Sequence, residues 1–355
     1  MTLLELRRSG GRTAFRLGRP PVSGVLRGRV LLCCLGLAAL TFVVFCVGIA
    51  TGDYPVSPLR VVPALWGSGD PGQVFIVREL RLPRALTAVL AGAAFAVSGA
   101  IFQTVTRNPL ASPDMIGINA GATTAVVAGI VLASGAGLSL PALGLAGGLA
   151  TAALIYLLAW RGGATGYRIV LVGIAVSWMC ASATDYLLTR AQLTEAQAAL
   201  GWLVGNLNGR GWETVGPLSA AVLVLLPAGM LLGRWTRTLH LGDEVARGLG
   251  TPVQLARLCL VVVGVALVAF ATAATGPVLF VALAAPQVAQ RLVGLSAPPM
   301  LASALTGALM VSASDLVARW LIPDVDLPVG VVTGALGAAF LLWLLVRANR
   351  AGSGG

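Results

Sequence analysis

Long apolar runs separated by short polar turns repeat along almost the whole chain. The first, Val30 to Ala50, is about one bilayer thickness of helix. Nine more follow, at about Leu82 to Val105, Ile116 to Ala133, Ala142 to Trp160, Ile169 to Leu188, Val215 to Leu232, Val253 to Thr272, a shorter Val278 to Leu292, Met300 to Trp320 and Val329 to Leu345. The runs are continuously apolar rather than alternating, which argues against a β-barrel. They predict an all-α polytopic membrane protein with ten transmembrane helices. Three pieces stand outside the pattern. Ser57-Pro58 opens a short external helix reaching Trp66. Thr194 to Asn206 is too short and polar to span and predicts an interfacial helix on the outer side. Leu239 to Gly250 is a polar island that predicts one short amphipathic helix. Leu239, Val245, Ala246 and Leu249 share a face, Asp243, Glu244 and Arg247 stay wet, and Gly248 and Gly250 stop the helix.

Composition sharpens this picture. The chain is 57% hydrophobic and only 10% charged, with mean hydropathy +0.90, which excludes a soluble domain of this size. Glycine is abundant (45 residues), as expected where helices approach closely in lipid. Gly92, Ala93, Ala94, Ala96, Ser98, Gly99 and Ala100 make the second run the natural central helix, and the fourth carries Gly144-x-x-x-Gly148. The five cysteines all lie in apolar runs without metal-ligand spacing and read as packing residues.

Charge sets the orientation. The net charge is +11, and every basic residue is arginine. Residues 1–29 carry Arg7, Arg8, Arg12, Arg16, Arg19, Arg27 and Arg29 and read as a cytoplasmic tail rather than a nucleic-acid-binding arm or a cleaved signal peptide. Residues 30–346 form the spanning domain and 347–355 a short basic tail. With both termini in the cytoplasm, the arginines fall predominantly inside. The outside ones then need a reason. Arg81 and Arg84 share a helix face at a span entrance, and Arg319 ends another span on the same side. Such a cluster suits capture of carboxylates on a small molecule or a docking protein, with lipid headgroups as the alternative.

Catalytic chemistry is sparse. There is no G-x-x-x-x-G-K-[ST] motif and no lysine to complete one, so ATP hydrolysis by that route is excluded. His240, the only histidine, reads as an exposed surface residue. Asp185 and Asp315 are the candidate intramembrane charges, both near span ends. Asp315 and Arg319, four apart, predict a local ion pair. An ion-coupled carrier lacks its span-centre acid, and a membrane enzyme lacks a catalytic cluster.

Several long motifs carry a family resemblance. Arg81-Leu82-Pro83-Arg84, Gly92-Ala93-Ala94, Ser98-Gly99, Gln103, Arg107-Asn108-Pro109-Leu110-Ala111-x-Pro113 and Gly117 resemble the FecCD/BtuC-type permeases of iron-siderophore and vitamin B12 ABC importers. Gly276-Pro277-Val278-x-Phe280-Val281-x-Leu283-x-x-Pro286, Asp315-x-x-Ala318-Arg319 and Leu327-Pro328-Val329-Gly330-x-x-Thr333 continue the likeness. The resemblance implies the ten-span type II importer fold in a bacterial inner or plasma membrane. It implies a second permease subunit, two ATPase subunits that bind the ATP and magnesium, and an extracytoplasmic substrate-binding protein. This chain itself then binds no cofactor, no metal and no nucleic acid. Arg81, Arg84 and Arg319 match positions that dock the binding protein. Leu239, Leu241, Gly242, Asp243, Glu244, Ala246, Arg247, Leu249 and Gly250 match the segment that couples to the ATPase. Asn108, Pro109 and Leu110, with Thr165 and Gly166, match cytoplasmic gate positions. Two departures stand out. Pro286-Gln287-Val288-Ala289-Gln290 replaces the usual Pro-His-x-x-Arg, and Pro323-Asp324-Val325-Asp326-Leu327-Pro328 replaces Pro-x-Glu-Leu-Pro. The Gln form, and Trp202-Leu203-Val204-Gly205-Asn206 through Trp212, resemble the ferric-enterobactin branch. That implies a ferric siderophore as cargo and a heterodimer of permeases; cobalamin or haem is the alternative cargo.

Overall fold

The computed structural model describes residues 4–9, 12–17, 22–52, 54, 56–132, 139–160, 166–321 and 327–352. The membrane body is entirely helical. Ahead of it stands a three-stranded antiparallel meander, β1 (Leu4–Ser9), β2 (Arg12–Leu17) and β3 (Val22–Arg27), paired in the order β1-β2-β3. The all-α class therefore holds from Gly28 onward, while the described part of the basic tail is strand.

All ten apolar runs are helical. In chain order they are α1 (Gly28–Ala50), α4 (Leu82–Thr106), α5 (Ile118–Leu132), α6 (Leu140–Ala159), α7 (Gly166–Arg190), α9 (Trp212–Leu231), α12 (Val253–Thr275), α13 (Val281–Val293), α14 (Met300–Leu321) and α15 (Val329–Gly352). Among the described residues, seven helical stretches are long and apolar enough to cross a membrane; α5, α13 and the apolar part of α15 are shorter. Short helices α2 (Pro58–Leu65), α3 (Pro71–Phe75), α8 (Leu193–Leu203), α10 (Gly233–His240) and α11 (Asp243–Gly248) lie between them.

Helix α4 is the axis. The continuous stretch Pro71–Thr106 is 83% buried in its most apolar window, against 17% for Gly28–Ala50. The small residues explain this. A Cβ on Gly92 would overlap the Gly307 backbone of α14, and one on Gly99 would overlap the Ala282 carbonyl of α13. Lipid tails provide no hydrophobic drive between helices, so close backbone approach is what holds them. Buried side-chain bonds reinforce it: Ser98 Oγ donates to the Gly264 carbonyl of α12 at 2.7 Å, and Gln103 Nε2 to the Leu283 carbonyl of α13 at 3.0 Å.

The second span begins earlier than the hydrophobic pattern predicts. Helix α3 runs through a π-helical turn, Ile76–Arg81, directly into α4. Pro83 explains the turn. A proline inside a helix lacks the N–H and clashes with the carbonyl four residues back, and a wider turn just upstream relieves both. The segment expected at the interface is anchored at its far end. Trp202, near the end of α8, is buried against Ala122 and Val126. The following residues dip into the bundle, where the Asn206 amide donates to the Thr275 carbonyl at 2.7 Å and the Gly330 amide to the Gly205 carbonyl. Gly205 and Asn206 together tie the end of α8 to α12 and α15, while Leu193 and Leu200 stay exposed. A Cβ on Gly148 would meet its neighbours at ordinary contact and one on Gly144 would be slightly tight against Val126, whereas one on Gly147 would overlap Ala125 of α5. The close approach of α5 and α6 is there.

Candidate functional site

At the end of the bundle opposite the N terminus, the three arginines are drawn together but turned inward. Arg81 is buried. Its Nη1 donates to the carbonyls of Ile49 (3.0 Å) and Ala50 (3.2 Å), and its Nη2 to Tyr54 (2.5 Å). The last carbonyls of a helix have no partner within it, so Arg81 caps α1. Arg84 makes a two-pronged contact with Asp315: Nη2 to Oδ1 at 2.8 Å and Nε to both carboxylate oxygens. Arg319 Nη2 lies 2.6 Å from the other oxygen, and its Nη1 donates to the Gly48 carbonyl at 3.1 Å. The expected Asp315–Arg319 pair is present, but it is half of a larger unit. Asp315, 2% exposed, is shared by two arginines from two helices. Spacing within one helix could show only the local partner. Arg84 comes from a residue far away in sequence, and near-complete burial of a carboxylate was the missing signal.

At the N-terminal end, the polar island is two helices rather than one. α10 ends at His240, and α11 starts at Asp243. Gly242 between them has φ +107°, a conformation L side chains rarely adopt. The break redistributes the faces. Leu239 and Ala246 point into the bundle and are buried, while Leu241, Val245 and Leu249 are 60%, 49% and 61% exposed. Asp243 is not a free wet carboxylate. It receives Arg257 Nη2 at 2.9 and 3.1 Å and lies 3.8 Å from Arg107 Nη2. Glu244 and Arg247 are exposed. His240 is half-buried rather than fully exposed, with no hydrogen-bond partner on Nδ1. In the sequence Arg257 counts only among the inside arginines, although a charge in an apolar run requires a partner.

Beside this segment, Arg107 closes α4 in the left-handed conformation (φ +54°). The exposed turn Asn108-Pro109-Leu110 follows, held by the Asn108 side chain accepting the Leu110 amide at 2.9 Å. Gly166 starts α7; Thr165 lies outside the described residues, as does 323–326. The substituted Gln287 has a packing role: Gln287 Nε2 donates to Gln103 Oε1 at 2.8 Å, joining α13 to α4. Gln290 Nε2 donates to the Ser296 carbonyl past the end of α13.

The loop between α4 and α5 also holds an unforeseen polar chain. Asn119 Nδ2 donates to Asp114 Oδ1, and Thr272 Oγ1 of α12 donates to Asn119 Oδ1 at 2.7 Å. Burial pushes the Asp114 carboxyl up to about 7. The folded state thus holds this proton more tightly than the unfolded chain. Stability contributed here is full below the ordinary carboxylate range and falls as pH rises toward about 7. Asp114→Asn, which mimics the protonated form, is expected to raise the melting temperature at pH 8 by a few degrees and by less at pH 5. Thermal melts of the purified protein at both pH values check this; equal shifts would sink it.

Comparison with known proteins agrees with this architecture. Residues 40–347 match the FecCD transport family. The chain is 41% identical over 325 residues to the ferric enterobactin transport system permease protein FepG of Escherichia coli, covering 91% of this chain and 98% of that one. It is also 41% identical to the achromobactin transport system permease protein CbrC of Dickeya dadantii, covering 90% and 91%. A solved metal-chelate type ABC transporter in an inward-facing conformation superposes with a TM-score of 0.78 at 26% identity, covering 89% of this chain and 99% of that one. A central α4 packed on α12, α13 and α14, together with a family match over nearly the whole membrane body, places the chain in one group: it belongs to the FecCD transport family of ABC importer permeases.

Proposed function

We propose that this chain is one permease subunit of an ATP-driven importer that carries a ferric siderophore from a binding protein into the bacterial cytoplasm. Its spans number ten, and both termini are cytoplasmic. A second, different permease completes the pathway, and two separate ATPase subunits bind ATP and magnesium. The observation that carries the reading is that one helix meets both candidate sites. α4 begins beside Arg84 and ends at Arg107, against the coupling segment. The siderophore assignment rests on relatives named for ferric enterobactin and achromobactin.

Each site supports its part. Among the described residues Arg84 and Arg319 share Asp315, and this two-to-one ratio favours a carboxylate on a docking protein. Arg84 and Arg319 keep some exposure and make that contact; Arg81 supports it from below by holding the end of α1. At the other end, Leu241, Val245 and Leu249 form an apolar stripe on two short helices, suited to a groove on the ATPase. Asn108, Pro109 and Leu110, with Thr165 and Gly166, belong to the cytoplasmic gate.

The test is uptake of a ferric catecholate siderophore by proteoliposomes holding both permeases, the ATPase and the binding protein. ATP-dependent uptake is expected. Uptake driven by an ion gradient without the ATPase would overturn the importer reading, and preference for cobalamin or haem would change only the cargo. Arg84→Glu with Arg319→Glu places like charges beside Asp315 and is expected to weaken binding-protein docking by about ten-fold or more. Unaltered docking in a kinetic binding assay would count against the outer site.

A further inference from the structure

We infer that Arg257 is a positioning residue for energy coupling, fixing the coupling segment to the transmembrane bundle through Asp243. The inference rests on the proposed coupling role of that segment and assigns the part that carries load from it into the spans.

The geometry starts from a weakness. α11 is short, and it is separated from α10 by Gly242 in a conformation only glycine adopts comfortably. Six residues of helix do not hold themselves in place. The docking stripe straddles this joint, with Leu241 on one side and Val245 and Leu249 on the other. A push on the stripe would bend the joint unless α11 is tied to something stiff.

Asp243, the first residue of α11, is that tie. Its carboxylate takes two hydrogen bonds from Arg257 Nη2 and faces Arg107 Nη2 at 3.8 Å. Arg257 sits in the second turn of α12, 4% exposed, and α12 runs the full height of the bundle against α4. Arg107 ends α4 itself. One carboxylate thus joins the moving segment to both central helices, and the cation on the α12 side is buried. An exposed pair would be loose and screened; a buried, hydrogen-bonded arginine holds one orientation. Thr251 Oγ1 also donates to Thr238 Oγ1 at 3.0 Å, which ties α10 to the start of α12 without reaching α11.

The chemistry separates this role from contact with the ATPase. Arg257 lies beneath the coupling helices, away from their exposed stripe, so its loss should leave subunit association intact while the push is no longer transmitted. The test uses the assembled transporter in proteoliposomes, with ATP hydrolysis and ferric siderophore uptake measured together. Arg257→Gln is expected to retain the ATPase subunits on co-purification and to lower cargo moved per ATP hydrolysed by about ten-fold. Asp243→Asn with Arg257→Gln removes both charges without stranding either, which guards against simple misfolding, and is expected to show the same loss. Because the two act as one unit, the losses should not multiply. Arg107→Ala, on the exposed arm, should cost less. A native cargo-to-ATP ratio in a folded Arg257→Gln transporter overturns the inference, as do multiplying losses. Failure of the native chain to recruit the ATPase at all would instead overturn the proposed function.

Discussion

Gly99→Leu is expected to leave no folded permease to purify. At this position α4 and α13 approach so closely that even a methyl group would occupy the Ala282 carbonyl. Two helical turns earlier, Gly92 meets Gly307 of α14 in the same way. A larger residue at Gly99 must push α13 away from the axis. That separation also stretches the neighbouring bonds, Gln103 to the Leu283 carbonyl and Gln287 to Gln103. In lipid those polar groups find no water to replace the lost partners. Overpacking alone typically costs about 1–3 kcal/mol, and the stranded amides add to it. Gly99→Ala is expected to fold poorly, and Gly99→Leu not at all. Gly216→Ala supplies the control, since nothing lies within 4 Å of its would-be Cβ. Size-exclusion profiles and yields in detergent decide it; a monodisperse Gly99→Leu protein with native melting would disprove the close-approach account.

Asp315→Ala carries the second large expected effect. It strands Arg84 and Arg319, each 17% exposed, around an empty carboxylate site. Removing one partner of a buried charge pair costs about 3–5 kcal/mol, because the remaining charges stay desolvated. Replacing the whole unit by apolar residues of similar size is often neutral. Asp315→Leu with Arg84→Met and Arg319→Met should therefore recover much of the melting temperature lost by Asp315→Ala while abolishing binding-protein docking. This pair of outcomes separates the cluster's part in stability from its proposed part in docking. If the triple variant melts as low as Asp315→Ala, the stability comes from somewhere other than charge pairing; if it still docks, the cations are not the docking groups.

The helical body and its axis were legible because lipid imposes a strict code. Apolar length gives each span, and the small-residue run of Gly92 to Ala100 marks the helix that others must approach. The π-turn before α4 was not legible from hydropathy, because Arg78 and Glu79 interrupt the apolar run and the span therefore reads as opening at Arg81-Leu82, although Pro83 was in view. The two-helix form of the coupling segment turned on one glycine, Gly242, whose left-handed backbone no periodicity reveals. The candidate sites were legible as residue types but not as partnerships. Arg81 looked like a surface cation because it sits at a helix entrance; only the fold brings the free carbonyls of α1 beneath it. Asp243 looked wet because its partners, Arg107 and Arg257, belong to other helices.

The arginine contacts along α1 also have a mechanical consequence. At one end of this lipid-facing helix, Arg81 and Arg319 hold the carbonyls of Gly48, Ile49 and Ala50. At the other end, Arg29 Nε donates to the Leu292 carbonyl at the end of α13. Although little of α1 is packed, it is moored at both of its ends. The meander that precedes it accordingly has a fixed root rather than a drifting tether. Leu4, paired through Leu17 to Val22, lies at the end of the meander away from Arg27 and that root. A label on β1 would therefore report tilting of the meander about a held foot, read as energy transfer to a second label in the spans.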